Sequence, residues 1–559
     1  MNILGISCFY HDSAACLVCD GVLKAAAQEE RFSRIKGDQG FPVNAINFCL
    51  AKAGMTVVDI DRVVFYEKPF LKFSRVIIEH LKSYPFSLGN FLATTPEWLD
   101  QRLVFEYVCK NKINYSGKVL FIPHHLAHAS SAFYPSPFDK AAVLTVDGVG
   151  EFATASFGYG DKNSLFLVKE MNYPNSLGLI YAAITSYLGF SALTGEGKVM
   201  AMAGYGRPAY ADRIRKIVSV KDDGSFILNQ RYFGFNKGSR MYSSGFVKLF
   251  GPARAEGESI TQRHFDIAAS LQDFFESVII KMCNHIHKQT GLDRLVLAGG
   301  VFLNCVVNTR ILKETGFKDI YIHPAAGDSG AALGAAAYAG AVLEDRRIAC
   351  PNGLSSFGPE FTDNCIKWFL VKKGVSFQEM AEGSIAKYAA EKISQGKIVG
   401  WFQGAMEWGP RALGNRSILA DPRNPKMKDI LNREVKHREY FRPYGVSVLA
   451  DNVSDYFDLP ALSPFMLLVA SAKMQNKHLI PSALHVDQTA RVQTVNPIDH
   501  GVFYELIKAF NDITGIPMVI NTSFNDESEP IVCSPEDAYK CFMRTRMDYL
   551  VMGSFIVEK

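Results

Sequence analysis

Short apolar runs separated by polar loops open the chain and predict the strands of a buried sheet. Three strands, an amphipathic helix and a fourth strand are predicted at 2–8, 14–18, 22–27, 42–54 and 60–65. The same order of elements returns at 141–146, 152–157, 165–168, 266–291 and 292–297. Two copies of a βββαβ unit indicate an internal duplication. The sequence therefore predicts an α/β fold whose N-terminal part consists of two related halves.

A duplicated unit of this kind resembles the actin, Hsp70 and sugar-kinase superfamily, which implies that nucleotide binds between the halves. The short polar loops match that plan. Gly299 and Gly300 follow a predicted strand, where glycines let the backbone approach a ribose or phosphate. Gly327 and Asp328 open a small-residue helix over 331–341, and we expect Asp328 to cap it, a role that needs no metal.

The helical pattern of this part stops before a stretch rich in Gly and Pro. The N-terminal domain, the linker and a second α/β domain are predicted at 1–345, 346–360 and 361–559. Within the first domain we expect a mostly helical insertion at 70–112 and an irregular excursion at 207–263. The excursion is rich in Gly, Tyr, Phe and Arg, which is typical of an acceptor-binding lid and equally of an ordered surface segment without a ligand.

Length and composition exclude several classes of protein. A chain of 559 residues is too long for a single core. A net charge of +4 without a basic run argues against a nucleic-acid partner. No apolar run has the length of a membrane span, and the first residues lack the plan of a signal peptide. Eleven scattered cysteines fit buried, reduced thiols, so we expect a cytoplasmic protein, with homo-oligomer formation left open.

A histidine cluster near the start of the second copy predicts a metal site. In His124-His-Leu-Ala-His128, which follows Pro123, the first and last histidines lie one helical turn apart. Asp147 follows a buried strand, at the end of the sheet where ligands collect. Two imidazoles and a carboxylate suit Fe(II), our first expectation, or Mn(II) or Zn(II). The alternative is a helix start whose histidines are solvated or satisfied within the core.

The second domain places isolated arginines among Gly, Pro and apolar residues, unlike a solvated charged helix face. They are Arg411, Arg416, Arg442 and Arg491. Asn521, at the end of a strand, adds neutral donors. This pattern predicts a pocket for planar, doubly charged oxyanions, because guanidinium binds carboxylate or phosphate with two hydrogen bonds. Structural salt bridges are the alternative role for each arginine.

Several longer motifs resemble the O-carbamoyltransferase family, which contains nodulation protein U and the cephamycin and tobramycin carbamoyltransferases. They are His124-His-Leu-Ala-His128, Asp147-Gly148, Gly409-Pro-Arg-Ala-Leu-Gly-Asn-Arg-Ser417, Ala490-Arg-Val-Gln-Thr-Val495 and Asn521-Thr-Ser-Phe-Asn525. The resemblance runs essentially end to end. It implies a TsaD-like N-terminal domain that carries a metal and a YrdC-like C-terminal domain. It also implies a reaction in which ATP and carbamoyl phosphate, with Mg²⁺, give carbamoyl adenylate, whose carbamoyl group passes to a hydroxyl of a small-molecule or saccharide acceptor.

The resemblance also implies roles for individual residues. The metal ligands would be His124, His128, Asp147 and Asp328. Nucleotide would contact Gly300 and Asn304, and the carbamoyl phosphate and adenylate pocket would use Arg411, Arg442, Arg491 and Asn521. The acceptor side would hold His11 and Lys36 as the catalytic residues. One departure concerns backbone shape, since the family usually has Gly where Gln488 stands.

The chemistry of the residues agrees with this reaction. Joining carbamate to AMP concentrates negative charge, which an arginine pocket offsets. His11 suits a general base for the acceptor hydroxyl, although it could instead order the first loop through a hydrogen bond. Three alternatives remain at this stage: a sugar-kinase-like phosphotransferase or ATPase, a tRNA threonylcarbamoylation-type enzyme, and a nucleotide-binding regulatory protein. The two domains are further expected to pack together around a shared passage for the adenylate.

Overall fold

The computed structural model describes residues 1–235, 240–350 and 355–559. Residues 236–239 of the expected excursion and 351–354 of the expected linker lie outside the described residues. The chain divides into two compact units. The first contains Met1–Phe9, Ala15–Leu23 and Leu50–Ala349, and the second contains Tyr10–Ala14, Lys24–Cys49 and Cys350–Lys559.

Two five-stranded sheets share one strand order. Strands β1 to β5 are Asn2–Ser7, Ala14–Cys19, Val22–Gln28, Arg62–Phe65 and Val119–Phe121. Strands β6 to β12 are Lys140–Val146, Ala153–Asp161, Ser164–Asn172, Val218–Val220, Phe226–Leu228, Arg294–Ala298 and Asp319–Ile322. The sheets run β3-β2-β1-β4-β5 and β12-β11-β6-β7-β8, while β9 and β10 form a separate hairpin. In both, the first strand pairs in parallel with the fourth, and the fourth with the fifth, which confirms the predicted duplication.

Helices cover these sheets and form the expected insertion. Helices α1 to α7 are Glu30–Ser33, Val43–Lys52, Pro69–Lys82, Leu88–Glu97, Phe105–Ile113, His124–Phe133 and Leu177–Tyr187. Helices α8 to α13 are Glu196–Ala203, Ala211–Ile217, Ser244–Phe250, Gln262–Thr290, Cys305–Glu314 and Asp328–Glu344. The insertion consists of α3, α4 and α5, as the sequence predicts. Helix α11 begins four residues earlier than expected because Thr261 and His264 form a capping box there.

Helix α13 approaches its neighbours at backbone distance because glycine and alanine stand at the points of contact. A Cβ atom on Gly334 would lie 1.8 Å from the carbonyl oxygen of Ala127 on α6, and one on Gly5 would lie 2.0 Å from that of Ala332. Real Cβ atoms do not come so close, so glycine is required at both positions. The sequence of α13 thus fixes how closely it packs on α6 and β1.

The second unit is built around one ten-stranded mixed sheet. Strands β13 to β22 are Gln378–Glu379, Val399–Phe402, Arg416–Ala420, Gly445–Leu449, Phe457–Asp458, Leu468–Ala472, Thr489–Val495, Met518–Ser523, Tyr549–Met552 and Phe555–Glu558. Helices α14 to α19 are Asp363–Lys373, Ile385–Ser394, Met427–Ile430, Val453–Tyr456, Pro497–Thr514 and Pro535–Arg544. The strand order is β13-β22-β21-β14-β15-β20-β16-β19-β18-β17. Alternate strand residues enter two separate apolar clusters, one with α15 and α18 and the other with α14 and α19, so both faces are buried.

Residues from the start of the chain are held within the second unit by arginines that follow β3. The Arg31 side chain donates to the carbonyl oxygen of Gly409 at 2.8 Å, and Arg34 donates to that of Ile531 at 2.8 Å. Arg34 also pairs with Glu529 at 3.2 Å. These contacts explain why a segment near the N-terminus belongs to a unit formed mainly by the C-terminal part.

The remaining expectations from composition concern thiols and membranes. All eleven cysteines are free, and nine of them are buried, as predicted from their apolar surroundings. Among the described residues, no helix combines the length and apolar character needed to cross a bilayer.

We predict that Gly334→Ala destabilises the first unit by about 2–4 kcal/mol, because the added methyl group forces α13 away from α6. Gly340→Ala, on the same helix, is the matched control. Its Cβ would meet no atom closer than 3.8 Å, so it should be neutral or gain up to about 1 kcal/mol of helix stability. Urea unfolding measures both variants, and equal stability for the two would contradict the close packing.

Candidate functional site

Two imidazoles and two carboxylates meet inside the first unit. Helix α6 supplies His124 and His128 from consecutive turns, Asp147 follows β6, and Asp328 is the first residue of α13. The His128 Nε2 atom lies 3.1 Å from His124 Nε2, 3.3 Å from Asp147 Oδ2 and 3.2 Å from Asp328 Oδ1. The His124 Nε2 atom lies 3.2 Å from Asp147 Oδ2 and 3.7 Å from Asp328 Oδ1. One ligand atom from each residue therefore faces a common point, with all four within 4.8 Å of one another.

The helix-capping role expected for Asp328 is not the one its geometry shows. Gly327 holds the N-cap position, and no side chain caps the helix there. The Asp328 carboxylate is fully buried and lies against the two histidines instead. The close packing of α13 on α6 positions it there.

The four side chains fit a divalent cation. All four residues are buried, and two carboxylates facing each other in a dry site are costly without positive charge. Burial opposes protonation of His128, but hydrogen bonds to Asp147 and Asp328 outweigh it and raise its pKa to about 9. Burial also disfavours the charged form of Asp147, yet hydrogen bonds from His124 and His128 bring its pKa well below the ordinary value. One proton balances only one carboxylate, whereas a divalent cation balances both.

His125, between the two ligands, has a separate role. Its Nδ1 atom lies 2.7 Å from the Thr145 hydroxyl, away from the carboxylates. Burial, with the adjacent imidazoles, lowers the pKa of His125 to about 3, which keeps it neutral. The alternative of a histidine buried in the core therefore applies to His125.

Neighbouring groups orient the ligand-bearing elements. The Gly300 N–H donates to Asp147 Oδ1 at 3.2 Å. Glu151, which sequence reasoning missed, accepts from the His124 N–H at 3.0 Å and from the Lys68 N–H at 2.8 Å. Its carboxylate thus lies at the start of α6, where its negative charge interacts favourably with the helix dipole. The signal in the sequence was its position in the loop directly after Asp147-Gly148.

Asn304 lies in a separate polar network of the first unit. Its Oδ1 atom caps α12 by accepting from the Val307 N–H, and its amide group donates to Gln272 at 3.0 Å. The Tyr181 hydroxyl also donates to Gln272, at 2.9 Å, and Gln272 donates to Glu276. Sequence reasoning missed these partners, because they lie on helices distant along the chain.

In the second unit, the sheet aligns predicted residues across three strands. Asn521 on β20 is paired with Gly445 on β16, which is paired with Arg491 on β19. The buried Asn521 amide donates to Ser447 at 2.9 Å and to the carbonyl oxygen of Ala412 at 3.3 Å. Asn521 therefore fixes the loop that carries Arg411.

The turn before β19 contains the departure from the usual glycine. Gln488 has φ 65°, the left-handed region that glycine adopts without strain. Its carbonyl oxygen accepts from the Ala472 N–H at 3.0 Å, so the turn closes despite the larger residue.

Several positively charged side chains of the second unit influence one another's pKa. Burial, together with the charges of Arg442 and Arg491 and against the effect of Tyr444, lowers the pKa of Arg438 to about 10. Burial likewise lowers the pKa of Lys436, and Arg438, Arg442 and Lys36 contribute in the same direction. The charges of Arg442 and Arg491 thus act on Arg438, and those of Arg438, Arg442 and Lys36 act on Lys436. Sequence reasoning missed Lys436 and Arg438, because short polar turns usually carry solvated charges.

Lys436, Arg442 and Lys36 each contact different polar groups. The Lys436 ammonium donates to Asn525 Oδ1 at 2.7 Å and to the carbonyl oxygens of Asn525 and Ser523. Arg442 reaches Glu527 at 3.5 Å, and Lys36 donates to the carbonyl oxygen of the same Glu527 at 3.1 Å.

The predicted catalytic residue His11 lies beside an acidic neighbour, since its Nδ1 atom is 3.0 Å from Asp12 Oδ2.

Arg416 is structural rather than part of an anion pocket. Its guanidinium is fully buried, lies 3.7 Å above the Phe402 ring and donates to the carbonyl oxygens of Gln403 and Pro359 at 2.6 and 3.0 Å. The structural alternative is thus the correct one for this arginine, although its partners are backbone carbonyls instead of carboxylates.

Comparison with known proteins agrees with both parts of the chain. The family model for the carbamoyltransferase N-terminus matches residues 2–337, and that for the carbamoyltransferase C-terminus matches 390–559. "Uncharacterized protein sll1178" of Synechocystis sp. is 44% identical over 596 residues, covering 100% of this chain and 97% of the relative. "Nodulation protein NolNO" of Sinorhizobium fredii is 36% identical, covering 99% and 79%, and "Nodulation protein U" of Rhizobium tropici is 28% identical, covering 94% and 91%.

Solved structures match only weakly. HypF of T. kodakarensis is 13% identical, covering 62% of this chain and 49% of that one, with a TM-score of 0.32. Component A of Acidaminococcus fermentans (R)-2-hydroxyglutaryl-CoA dehydratase is 15% identical, covering 61% and 99%, with a TM-score of 0.33. Likeness at this level supports no inference, so the assignment rests on the family models and relatives. The chain belongs to the carbamoyltransferase family and is an enzyme that transfers carbamoyl groups.

Proposed function

We propose that this protein is an ATP-dependent O-carbamoyltransferase that forms carbamoyl adenylate and passes its carbamoyl group to an acceptor hydroxyl. The observation that carries the proposal is geometric: Asn521, Gly445 and Arg491 stand side by side on three strands of the second unit, and Arg442 and Lys36 both contact Glu527. Arginine and lysine side chains bind phosphate and carboxylate groups through charge-assisted hydrogen bonds. ATP and carbamoyl phosphate carry such groups.

The proposed reaction balances in two parts. Carbamoyl phosphate, ATP and one water give carbamoyl adenylate, phosphate and pyrophosphate, as a carbamate oxygen attacks the α-phosphorus and displaces pyrophosphate. The acceptor oxygen then attacks the carbamoyl carbon, its proton leaves to a base, and AMP departs. Arginine and lysine side chains stabilise the charge on the phosphoryl oxygens throughout the first part.

The proposed adenylate-forming pocket uses Arg411, Arg442, Arg491 and Asn521. The sheet register supports this set, since Asn521 and Arg491 flank Gly445 on the two neighbouring strands. Asn521 also tethers the Arg411 loop through Ala412. We assign residues 361–559 as a YrdC-like domain on this basis.

The proposed metal ligands are His124, His128, Asp147 and Asp328, within a TsaD-like domain at 1–345. Their donor set suits Fe(II), Mn(II) or Zn(II). A metal held there would supply a positive centre that orients and polarises a phosphate-bearing substrate. The chain itself positions Asp147 through the Gly300 N–H and His124 through Glu151. Gly300 and Asn304 are the proposed nucleotide contacts.

On the acceptor side, we propose His11 as the base that takes the hydroxyl proton and Lys36 as the second catalytic residue. Asp12, 3.0 Å from His11 Nδ1, would orient the imidazole and leave Nε2 for the acceptor. We further infer a cytoplasmic enzyme and an acceptor that is a small molecule or saccharide.

The duplicated pair of sheets favours one second candidate, a sugar-kinase-like phosphotransferase. A single assay separates the two. Pyrophosphate release from ATP that requires carbamoyl phosphate supports the carbamoyltransferase, whereas transfer of the γ-phosphate to an acceptor supports the kinase. A threonylcarbamoylation-type enzyme would instead require threonine and bicarbonate for pyrophosphate release.

We predict that Arg442→Ala lowers carbamoyl-phosphate-dependent pyrophosphate release by about 100-fold, because one phosphate-binding donor is lost. His11→Ala should leave that release within about twofold and lower carbamoyl transfer by about 100-fold. Arg433→Ala is the matched control, since Arg433 is exposed and pairs only with Glu434 among the contacts described. Equal loss of pyrophosphate release in the Arg442 and His11 variants, both folded, would refute this division of roles.

We also predict that His128→Ala weakens binding of Fe(II), Mn(II) or Zn(II) by at least about 100-fold and abolishes acceptor transfer, because a central ligand is removed. Metal analysis and titration of the purified variant measure the first effect. His125→Gln is the control on the same helix and should keep its metal, since His125 faces Thr145. Full metal occupancy in His128→Ala would show that the ligand set is wrong.

A further inference from the structure

The helical insertion of the first unit turns an apolar surface outward. Between Phe70 and Leu99, six large apolar side chains are more than half exposed, namely Phe70, Leu81, Tyr84, Phe86, Leu92 and Leu99. Summed over these side chains and their partly exposed neighbours, the exposed area is on the order of 1,000 Å². The largest apolar patch on a typical monomer is about 300–600 Å². We name these residues the 70–99 face, and their summed exposed area exceeds that of one ordinary patch.

Helix α3 shows that the exposure is built into the sequence. Its charged residues Lys72 and Arg75 are buried, where Lys72 pairs with Glu67 and Arg75 lies 5.1 Å above the Tyr173 ring. Its exposed positions Phe70 and Leu81 lie eleven residues apart and so share one face. An ordinary surface helix does the reverse and turns its charged side to water.

The insertion is also held together as a single platform. The Ser87 hydroxyl donates to the carbonyl oxygen of His80 at 2.8 Å, and the His80 ring lies 5.1 Å from that of Phe91. The Phe73 ring lies 5.3 Å from that of Trp98. Helices α3 and α4 are thus joined beneath the exposed side chains, so the apolar surface is ordered by internal packing.

We propose that the 70–99 face is the interface of a two-fold symmetric dimer of this chain. Its area exceeds the roughly 800 Å² per partner of a standard stable interface. A two-fold axis pairs a surface with itself, which suits an apolar centre that is complementary to a second apolar centre. The rim carries both signs, with Lys82, Glu97 and Asp100 exposed, and Lys82 and Glu97 pair with Glu79 and Arg102 of the same chain.

A lipid surface is the other chemistry that apolar helices meet, and two observations disfavour it. Interfacial helices present several Lys and Arg residues to anionic headgroups, whereas Lys72 and Arg75 are turned into the protein and the exposed Lys82 is paired with Glu79. The exposed acid Asp100 lies beside Leu99 and would be repelled by such headgroups, whereas Glu97 is paired with Arg102.

The test uses the full-length protein in light scattering after size exclusion and in sedimentation velocity, at concentrations from below 1 µM to about 50 µM. We expect a mass twice 62.0 kDa. The variant Leu81→Lys/Phe86→Lys/Leu92→Lys should be monomeric, with a dimer dissociation constant raised by at least about 100-fold, because charges are buried at the interface. The matched control Val58→Lys/Met474→Lys/Ile498→Lys changes equally exposed apolar residues elsewhere and should remain dimeric.

Circular dichroism and the unfolding midpoint establish that each variant is folded, which the exposure of the changed residues favours. A wild-type protein that stays at 62.0 kDa, or a folded 70–99 variant that still doubles its mass, would overturn the proposal. Phosphatidylglycerol-containing vesicles provide the last arm. Wild-type protein that binds them as a monomer, while the lysine variant does not, would overturn the dimer in favour of a membrane surface. Concentration-dependent protection of residues 81–99 from hydrogen exchange would support the dimer.

Discussion

The first unit depends on neutralising two carboxylates that it buries together. Asp147 and Asp328 come from elements far apart in sequence, and each lies within 3.3 Å of His128 Nε2. Such a site is stable only if its charges are matched and its ligand-bearing elements cannot separate. The close approach of Gly334 to Ala127 meets the second condition. Gly150 serves the same close packing, since a Cβ atom at this position would lie 3.0 Å from the His124 side chain.

The second unit has the opposite electrostatic problem. Lys436 and Arg438 are drawn away from water, and each is near further cations that oppose its charge. Hydrogen bonds to carbonyl and amide oxygens, such as those from Lys436 to Asn525, hold these groups in place without cancelling their charge. Acidic groups lie near them as well, since Arg442 reaches Glu527 and the charge of Lys436 helps to lower the pKa of Asp526.

The sequence allowed the duplicated sheets to be predicted because each strand and helix leaves its own periodic pattern, and the pattern repeats. It also allowed His124, His128 and Asp147 to be placed together, because one helical turn and one strand end determine their positions. Asp328 was paired with them only through resemblance, since a capping residue and a ligand look alike in sequence. Glu151, Lys436 and Arg438 were missed because their importance arises from burial that no local pattern reveals.

The linear order of the sequence does not fully predict which residues belong to each unit. A boundary near residue 345 follows from composition, yet contacts assign Tyr10–Ala14 and Lys24–Cys49 to the second unit. A fragment starting at residue 361 would lack Arg31 and Arg34, which donate to the carbonyl oxygens of Gly409 and Ile531. Gly409 opens the loop that leads to Arg411, so the missing donors would loosen an arginine of the proposed adenylate pocket. The fragment would also lack Lys36, which contacts Glu527 together with Arg442. Loss of adenylate formation in that fragment would thus reflect an incomplete unit, and point variants in the intact chain are the sounder way to separate the two half-reactions.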